Sequence, residues 1–303
     1  MVSQRHVGIP LGGRAYEQTY HTGAPSVKHI PIHGGIAIYT KTGSAQEIGT
    51  LGCIVWDKVD PNKRFILSNQ HVLYPNSANP RAKIDDPVYQ VGDPSIPIGK
   101  LYSTIAESNP WPSTDKEAVN KVGTYHDSAL AIPTVEVSDE INGIGKLTGM
   151  IDPVVGMNIR YNGRTSGLQR GKVTHINKTV LLNVGNGKTA IQKNIFYIDA
   201  KSANGDSGSL IVNDDNKAIG LLFASNEGGG TSCCLVSVIA SKYNISFVKP
   251  TGGASPSPDD QVTTQTEIPA FVYEKNFMLG AGIVLAGLVV MVVAAGQGAD
   301  KFG

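Results

Sequence analysis

The chain has 303 residues, of which 17% are charged, below the share of about 25% usual in soluble domains. Its 26 basic and 25 acidic side chains leave a formal charge of +1, which excludes a strongly basic nucleic-acid binder and a polyanionic tail protein. The 35 Gly and 17 Pro argue against a helix bundle and for short strands joined by turns, and three Cys (Cys53, Cys233, Cys234) exclude a disulfide framework and fit a reducing compartment.

Residues 1–32 read as a polar lead-in with little regular structure, and they lack the apolar stretch of a secretory signal. Residues 33–249 are strand-rich. A first set of candidate strands is Gly35–Tyr39, Ile48–Trp56, Phe65–Val72, Pro87–Gln90, Ile98–Ser103 and Ser128–Ile132. A second set is Val154–Tyr161, Gly171–Ile176, Thr179–Val184, Ile195–Ala200, Ser209–Val212 and Ala218–Ala224. Turn pairs such as Asn162-Gly163 and Asn186-Gly187 separate them. The pattern predicts an all-β sandwich or pair of barrels, with a short helix around Val236–Tyr243 closing it.

Residues 250–269 have no aromatic side chain and few aliphatic ones. They predict a flexible linker with a root-mean-square reach of about 25 Å. Residues 277–296 carry no charge, and their length suits a single transmembrane helix. Gly282 and Ala286 are spaced to pack against another helix. The flanks show no charge bias that would set orientation. With no signal ahead of it, this anchor predicts a membrane-tethered protein whose strand-rich part lies in the cytoplasm.

Three short motifs carry chemistry. Gly205-Asp206-Ser207-Gly208-Ser209 precedes the apolar run Leu210–Val212. Its glycines permit a tight turn that exposes a serine hydroxyl and aims backbone N–H groups at a reacting carbonyl. A nucleophilic serine needs a base. Of seven His, His71 stands out, because Ser68-Asn69-Gln70-His71 caps an apolar strand where an imidazole can be held rigidly. His6, His21, His29 and His33 belong to the lead-in or its border, and His126 and His175 adjoin strands. The base in turn needs a carboxylate to fix its tautomer. Asp127 heads the apolar run Ser128–Ile132, where an unpaired acid would be costly.

The order His71, Asp127, Ser207 resembles that of the chymotrypsin-fold (trypsin-like) serine peptidases. The chain looks like the bacterial disulfide-free members and the plant narrow-leaf type. The resemblance covers residues 33–249. It implies two six-stranded antiparallel barrels, 33–133 and 145–249, with the site between them. It also implies acyl transfer by a triad of Ser207, His71 and Asp127, with the N–H groups of Gly205 and Ser207 binding the oxyanion. Asn162-Gly-Arg-Thr-Ser-Gly167 is similar to a motif of bacterial secreted members, which implies an ion pair between Arg164 and Asp206. Lys201 falls at the base of the primary specificity pocket, which implies no preference for cleavage after Arg or Lys. Phe223, Ala224 and Ser225 fall on the strand that pairs with substrate backbone. Val72 and Ala203 stand where secreted animal members have bridged cysteines.

The implied partner is a peptide or protein substrate. Gly187-Lys188-Thr189 lacks the leading glycine of a phosphate-binding loop, and no Cys/His cluster has metal-ligand spacing, so no cofactor or metal is expected. A catalytically inactive peptide-binding module on the same fold, and a membrane scaffold, are the other classes left open. The oligomeric state is not legible in the residues.

Overall fold

A strand with two apolar faces needs two cores, and the middle of this chain supplies both. Neighbouring side chains on a strand point to opposite sides. Ile54 and Ile66 are buried in one cluster with Ile36, Ile38, Val88 and Leu101. Their neighbours Cys53, Val55, Phe65 and Leu67 are buried in a second, with Leu210, Val212, Leu221 and Phe223. Ile211 alternates into a third, with Tyr161, Phe196 and Leu222. The first and third clusters fill two sheets, and the second joins them. This is why these strands read as unbroken apolar runs.

The computed structural model describes residues 7–10, 28–42, 45–74, 82–104, 127–185, 188–225 and 230–251. In chain order the first elements are β1 (Val7–Pro10), β2 (Ile32–Gly34), β3 (Ala37–Thr42), β4 (Ala45–Thr50), β5 (Cys53–Asp57), β6 (Arg64–Ser68), the one-turn helix α1 (Gln70–Leu73), β7 (Pro87–Gln90), β8 (Asp93–Thr104) and β9 (Ala129–Pro133). They continue with β10 (Val137–Ile141), β11 (Gly145–Lys146), β12 (Gly149–Met150), β13 (Asn158–Gly163), β14 (Gly167–Gly185), β15 (Lys188–Ile198), β16 (Leu210–Val212), β17 (Lys217–Ser225), β18 (Thr231–Leu235), helix α2 (Val236–Tyr243) and β19 (Ile245–Ser246).

The second half closes on itself. Its strands run β14-β13-β16-β17-β18-β15, and β15 pairs back with β14, which removes the sheet edges of a six-stranded barrel. The first half runs β19-β5-β6-β9-β8-β7-β3-β4 and stays open between β4 and β5. The fold is therefore all-β, with one closed barrel and one half-barrel in place of the two closed barrels expected. The reason lies in the link between β4 and β5. Thr50 gives its N–H to the Ser207 carbonyl at 2.8 Å, and Gly52 gives its N–H to the Leu67 carbonyl at 2.9 Å. Neither bond closes the first sheet.

Other differences are local. The expected strand Ile48–Trp56 is broken at Leu51-Gly52, where Leu51 N–H turns to the Ile36 carbonyl and Gly52 N–H to the Leu67 carbonyl, each at 2.9 Å, and Gly52 packs too close to the Gly208 carbonyl for a side chain. Phe65–Val72 stops at Ser68 and becomes α1. Gly171–Ile176 and Thr179–Val184 fuse into β14, with a left-handed Asn177 at φ 53° between them, a conformation Asn tolerates. Strand β18 was not expected, since Thr-Ser-Cys-Cys shows no alternation, yet all four are buried. The lead-in contributes a strand, β1, that pairs with β14 and β17. Helix α2 forms as expected and ties back to the half-barrel through the Tyr243 hydroxyl, which donates to the Ser128 carbonyl at 2.8 Å.

The Asn186-Gly187 turn, His6, His21, His126, the linker from residue 252 on and the 277–296 helix lie outside the described residues. Among the described residues no helix is long and apolar enough to cross a membrane.

All three cysteines are free and buried. Burial pushes their thiols well above the ordinary range, so little reactive thiolate forms at neutral pH. A colorimetric thiol reagent is expected to titrate none of them in the native protein and all three in denaturant. Reaction in the native state within minutes would contradict the packing described.

Candidate active site

Strand β6 hands the chain to α1 through Asn69, which is extended at φ −69° and ψ 151°. The turn is closed by Leu73 N–H to Asn69 O at 3.1 Å and Tyr74 N–H to Gln70 O at 2.6 Å. His71 thereby faces Asp127, which leads into β9. The ring Nδ1 lies 2.5 Å from Asp127 Oδ2, and the His71 backbone N–H donates to Oδ1 at 3.0 Å. Asn69 Nδ2 donates to the Asp127 carbonyl at 2.6 Å. One carboxylate thus holds both the ring and the main chain of this histidine, which sets tautomer and orientation together. Burial alone would lower the His71 pKa. The charge and hydrogen bond of Asp127, followed by the charge of Glu47, outweigh it and hold the imidazole above its ordinary value. Glu47, a buried acid on β4, has no motif around it and escaped the sequence reading.

Ser207 lies across the seam. Gly205 and Gly208 adopt φ of +99° and +92°, which glycine reaches without strain. A side chain on Gly208 would also strike Ser68 Oγ and the Thr50 carbonyl. The turn binds itself through Asp206 N–H to Ala203 O at 3.0 Å and Ser209 N–H to Asp206 O at 3.0 Å, and it binds β17 through Gly208 N–H to Leu222 O at 2.9 Å. Among the described residues, the N–H groups of Gly205 and Ser207 make no hydrogen bond. They are two donors beside a serine hydroxyl, which is what a developing oxyanion needs. Ser207 Oγ and His71 Nε2 are both buried and also unbonded. The two loops touch: a Cβ on Gly49 would meet Val72, next to His71, and would lie 2.8 Å from Ser207 O.

The Trypsin family model matches residues 59–244, more than half of the chain. The chain belongs to the trypsin family. It is a serine-type endopeptidase, a hydrolase. Protease A of Thermobifida fusca is 17% identical to it, with a TM-score of 0.51 over 72% of this chain and 99% of that one. An alpha-lytic protease homologue, N4, is 18% identical, with a TM-score of 0.51 over 72% and 99%. At such identities the likeness concerns the fold. No curated protein matches significantly in sequence.

Around this trypsin-family core, two expected contacts take another form. Asp206 is buried, but Arg164 does not form an ion pair with it. The carboxylate is filled by other donors. Oδ1 accepts the N–H groups of Thr165 and Ser166, each at 3.0 Å. Oδ2 accepts the Ser166 hydroxyl at 2.5 Å and the Ala203 N–H at 2.9 Å. Four donors compensate a buried charge without a cation in contact. Arg164 instead lies over Gly205, its Nη1 2.9 Å from where a Cβ there would stand. Burial lowers its pKa, against the opposing pull of Asp206. Lys201 is exposed, which removes its ammonium from the buried pocket floor expected of it. Its carbonyl accepts the Tyr161 hydroxyl at 2.5 Å. Phe223, Ala224 and Ser225 form the end of β17, next to the Leu222 that binds the serine turn. Among the described residues, no group of three His, Cys, Asp or Glu is placed to hold a metal.

The residue that links all these parts is one the sequence reading passed over. Thr50 is buried. Its N–H holds Ser207 O, and its carbonyl accepts Ser68 Oγ at 2.7 Å. Its hydroxyl donates to Gly205 O at 2.8 Å and accepts the Arg164 N–H at 3.1 Å. Replacing Thr50 by Val keeps the shape and removes both hydroxyl bonds. The expected loss is roughly 2–6 kcal/mol, at about 1–3 kcal/mol for each of the two groups left without a partner. Denaturant melts read it, and an unchanged midpoint would refute the role assigned to Thr50.

Proposed function

We propose that Ser207, His71 and Asp127 are the acyl-transfer triad of this endopeptidase. The observation that carries the reading is the two-point grip of Asp127 on His71, across a seam from a serine flanked by unbonded N–H groups. Ser207 Oγ attacks the peptide carbonyl, and His71 Nε2 takes its proton. His71 then passes that proton to the leaving amine, and water releases the acyl group by the same steps in reverse. Asp127 stays ionised and stabilises the imidazolium. The N–H groups of Gly205 and Ser207 receive the oxyanion. Phe223, Ala224 and Ser225 pair with the backbone of an extended peptide or protein substrate.

The unmade bond between Ser207 and His71 favours a second reading, a peptide-binding domain that does not cut. Such bonds tighten when substrate engages, so the first reading stands ahead. Fluorophosphonate labelling separates them. Labelling of the native protein, lost on denaturation and in Ser207→Ala, supports the triad. Absence of labelling supports the binding module.

The raised His71 pKa fixes the pH dependence. A base must be neutral, so kcat/KM is expected to climb with pH through a midpoint above the ordinary imidazole value of about 6.5. For stability the sign is the opposite. The contribution of the charged pair is complete below the unfolded pKa and is lost as pH rises through the folded one. Asp127→Asn should lower kcat by about 10⁴-fold and move the midpoint down. A midpoint at or below 6.5 in the parent protein would count against the pairing.

For location we propose a cytoplasmic peptidase domain tethered by residues 277–296, through a linker that confines cleavage to targets near the membrane. The uncharged run in the sequence is what supports this. The full chain is expected in carbonate-washed membranes, and the chain without residues 270–303 in the supernatant. Equal distribution of both would exclude the tether.

A further inference from the structure

The edge of β17 that a substrate strand would use is already taken. At Gly220 and Leu221, β17 is flanked by β16 on one side and β18 on the other. Beyond Leu222 the β18 side stays paired, with Ala224 opposite Ser232 and Ser225 opposite Thr231, while β16 has ended at Leu210. The freed edge is occupied by β1. Ile9 lies opposite Ser225 and Pro10 opposite Ala224, in antiparallel register. On its far side the same strand pairs in parallel with β14, Val7 opposite Leu181 and Gly8 opposite Leu182.

Strand β1 runs towards the serine turn, as a peptide delivered to Ser207 along this edge would. From Ile9 to Pro10 the chain advances from Ser225 to Ala224, towards Leu222. The main chain of Leu222 holds the nucleophile turn, accepting from Gly208 N–H and donating to Ser209 O. Pro10, which has no N–H, is tolerated at a strand end but not in a ladder that needs its donor. Ser207 is 0% and His71 3% exposed, although an attacking serine must be reachable by its substrate.

A single strand edge accepts a single added strand. The geometry points to residues 7–10 as an intramolecular competitor, a segment of this chain that fills the substrate-docking edge of its own peptidase. This rests on the assignment of Phe223–Ser225 to substrate pairing. The occupant is the extended segment Val7–Pro10, paired through its main chain, so the edge is suited to an extended peptide running towards Ser207. Substrate enters when β1 leaves, and apparent affinity is reduced by the fraction of time the edge is filled.

The test needs no catalysis. Ser207→Ala in the full chain is titrated with a fluorescein-labelled peptide of residues 5–12, and binding is read by polarisation. Two further variants are made in that chain. Ile9→Pro and Gly8→Pro each remove a main-chain N–H from β1, at the positions opposite Ser225 and Leu182. Each is retained if it melts as the parent does. If β1 fills the edge about nine-tenths of the time, both variants should bind the peptide about tenfold more tightly than the parent. Equal affinity in all three, or no binding by the variants, would overturn the proposal. Fluorophosphonate labelling of the Ile9→Pro chain with Ser207 intact, in which the edge is open, tests the triad separately. A failed triad with tighter peptide binding would sink the catalytic reading and leave the docking edge standing.

Discussion

The structure depends on a short seam where the half-barrel touches the turn that carries Ser207. Thr50 makes four hydrogen bonds there, to Ser68, Ser207, Gly205 and Arg164. Gly49 and Gly52 on either side leave no room for a side chain. The seam matters because the chemistry is divided. His71 and Asp127 belong to the half-barrel, and Ser207 belongs to the closed barrel. Holding reacting groups in place supplies much of an enzyme's rate, and for the proposed triad that hold crosses from one sheet to the other. The shared apolar cluster gives the two halves adhesion but no register. The directional bonds of Thr50 supply the register, since their geometry fails within a few tenths of an ångström.

With no disulfide, the active-site loops are held by buried polar groups. A buried carboxylate is costly unless its oxygens are filled. Asp127 meets that need with His71, and Asp206 meets it with Thr165, Ser166 and Ala203. Asp206 thereby pins the strand-end turn after β13 to the nucleophile loop. Main-chain donors are fixed in position by the fold, so this pin loses less side-chain entropy than a long arginine would. Arg164 is left to cover Gly205, over one of the two proposed oxyanion donors.

An unpaired strand edge is usually a liability that proteins cover. A peptidase that binds substrate as a strand has to keep one. The closed barrel seals its other edges, and β16 ends early enough to leave β17 open beyond Leu222. The lead-in strand lies on that opening. Covering the edge protects against unwanted pairing, and on the proposed assignment of Phe223–Ser225 it also sets how readily substrate gains access.

Some of this was legible in the residues. Ser207 was marked by glycines whose positive φ the turn requires, and His71 and Asp127 by polar groups at the ends of apolar strands. The all-β class followed from short apolar runs between turn pairs. Thr50 and Glu47 were not legible, because each is an ordinary residue whose partners lie far along the chain. The open first barrel, the unexpected β18, the exposure of Lys201 and the replacement of the Arg164–Asp206 pair have the same origin. Each is decided by which hydrogen-bond partner is nearest once the sheets have packed. The sequence by itself determined which residue types could do the chemistry and roughly where strands would lie, since side-chain chemistry and strand period are local. Only the tertiary structure decided which donors fill Asp206, what joins the barrels and what lies on the edge of β17, since hydrogen bonds between distant segments leave no periodic trace in the chain.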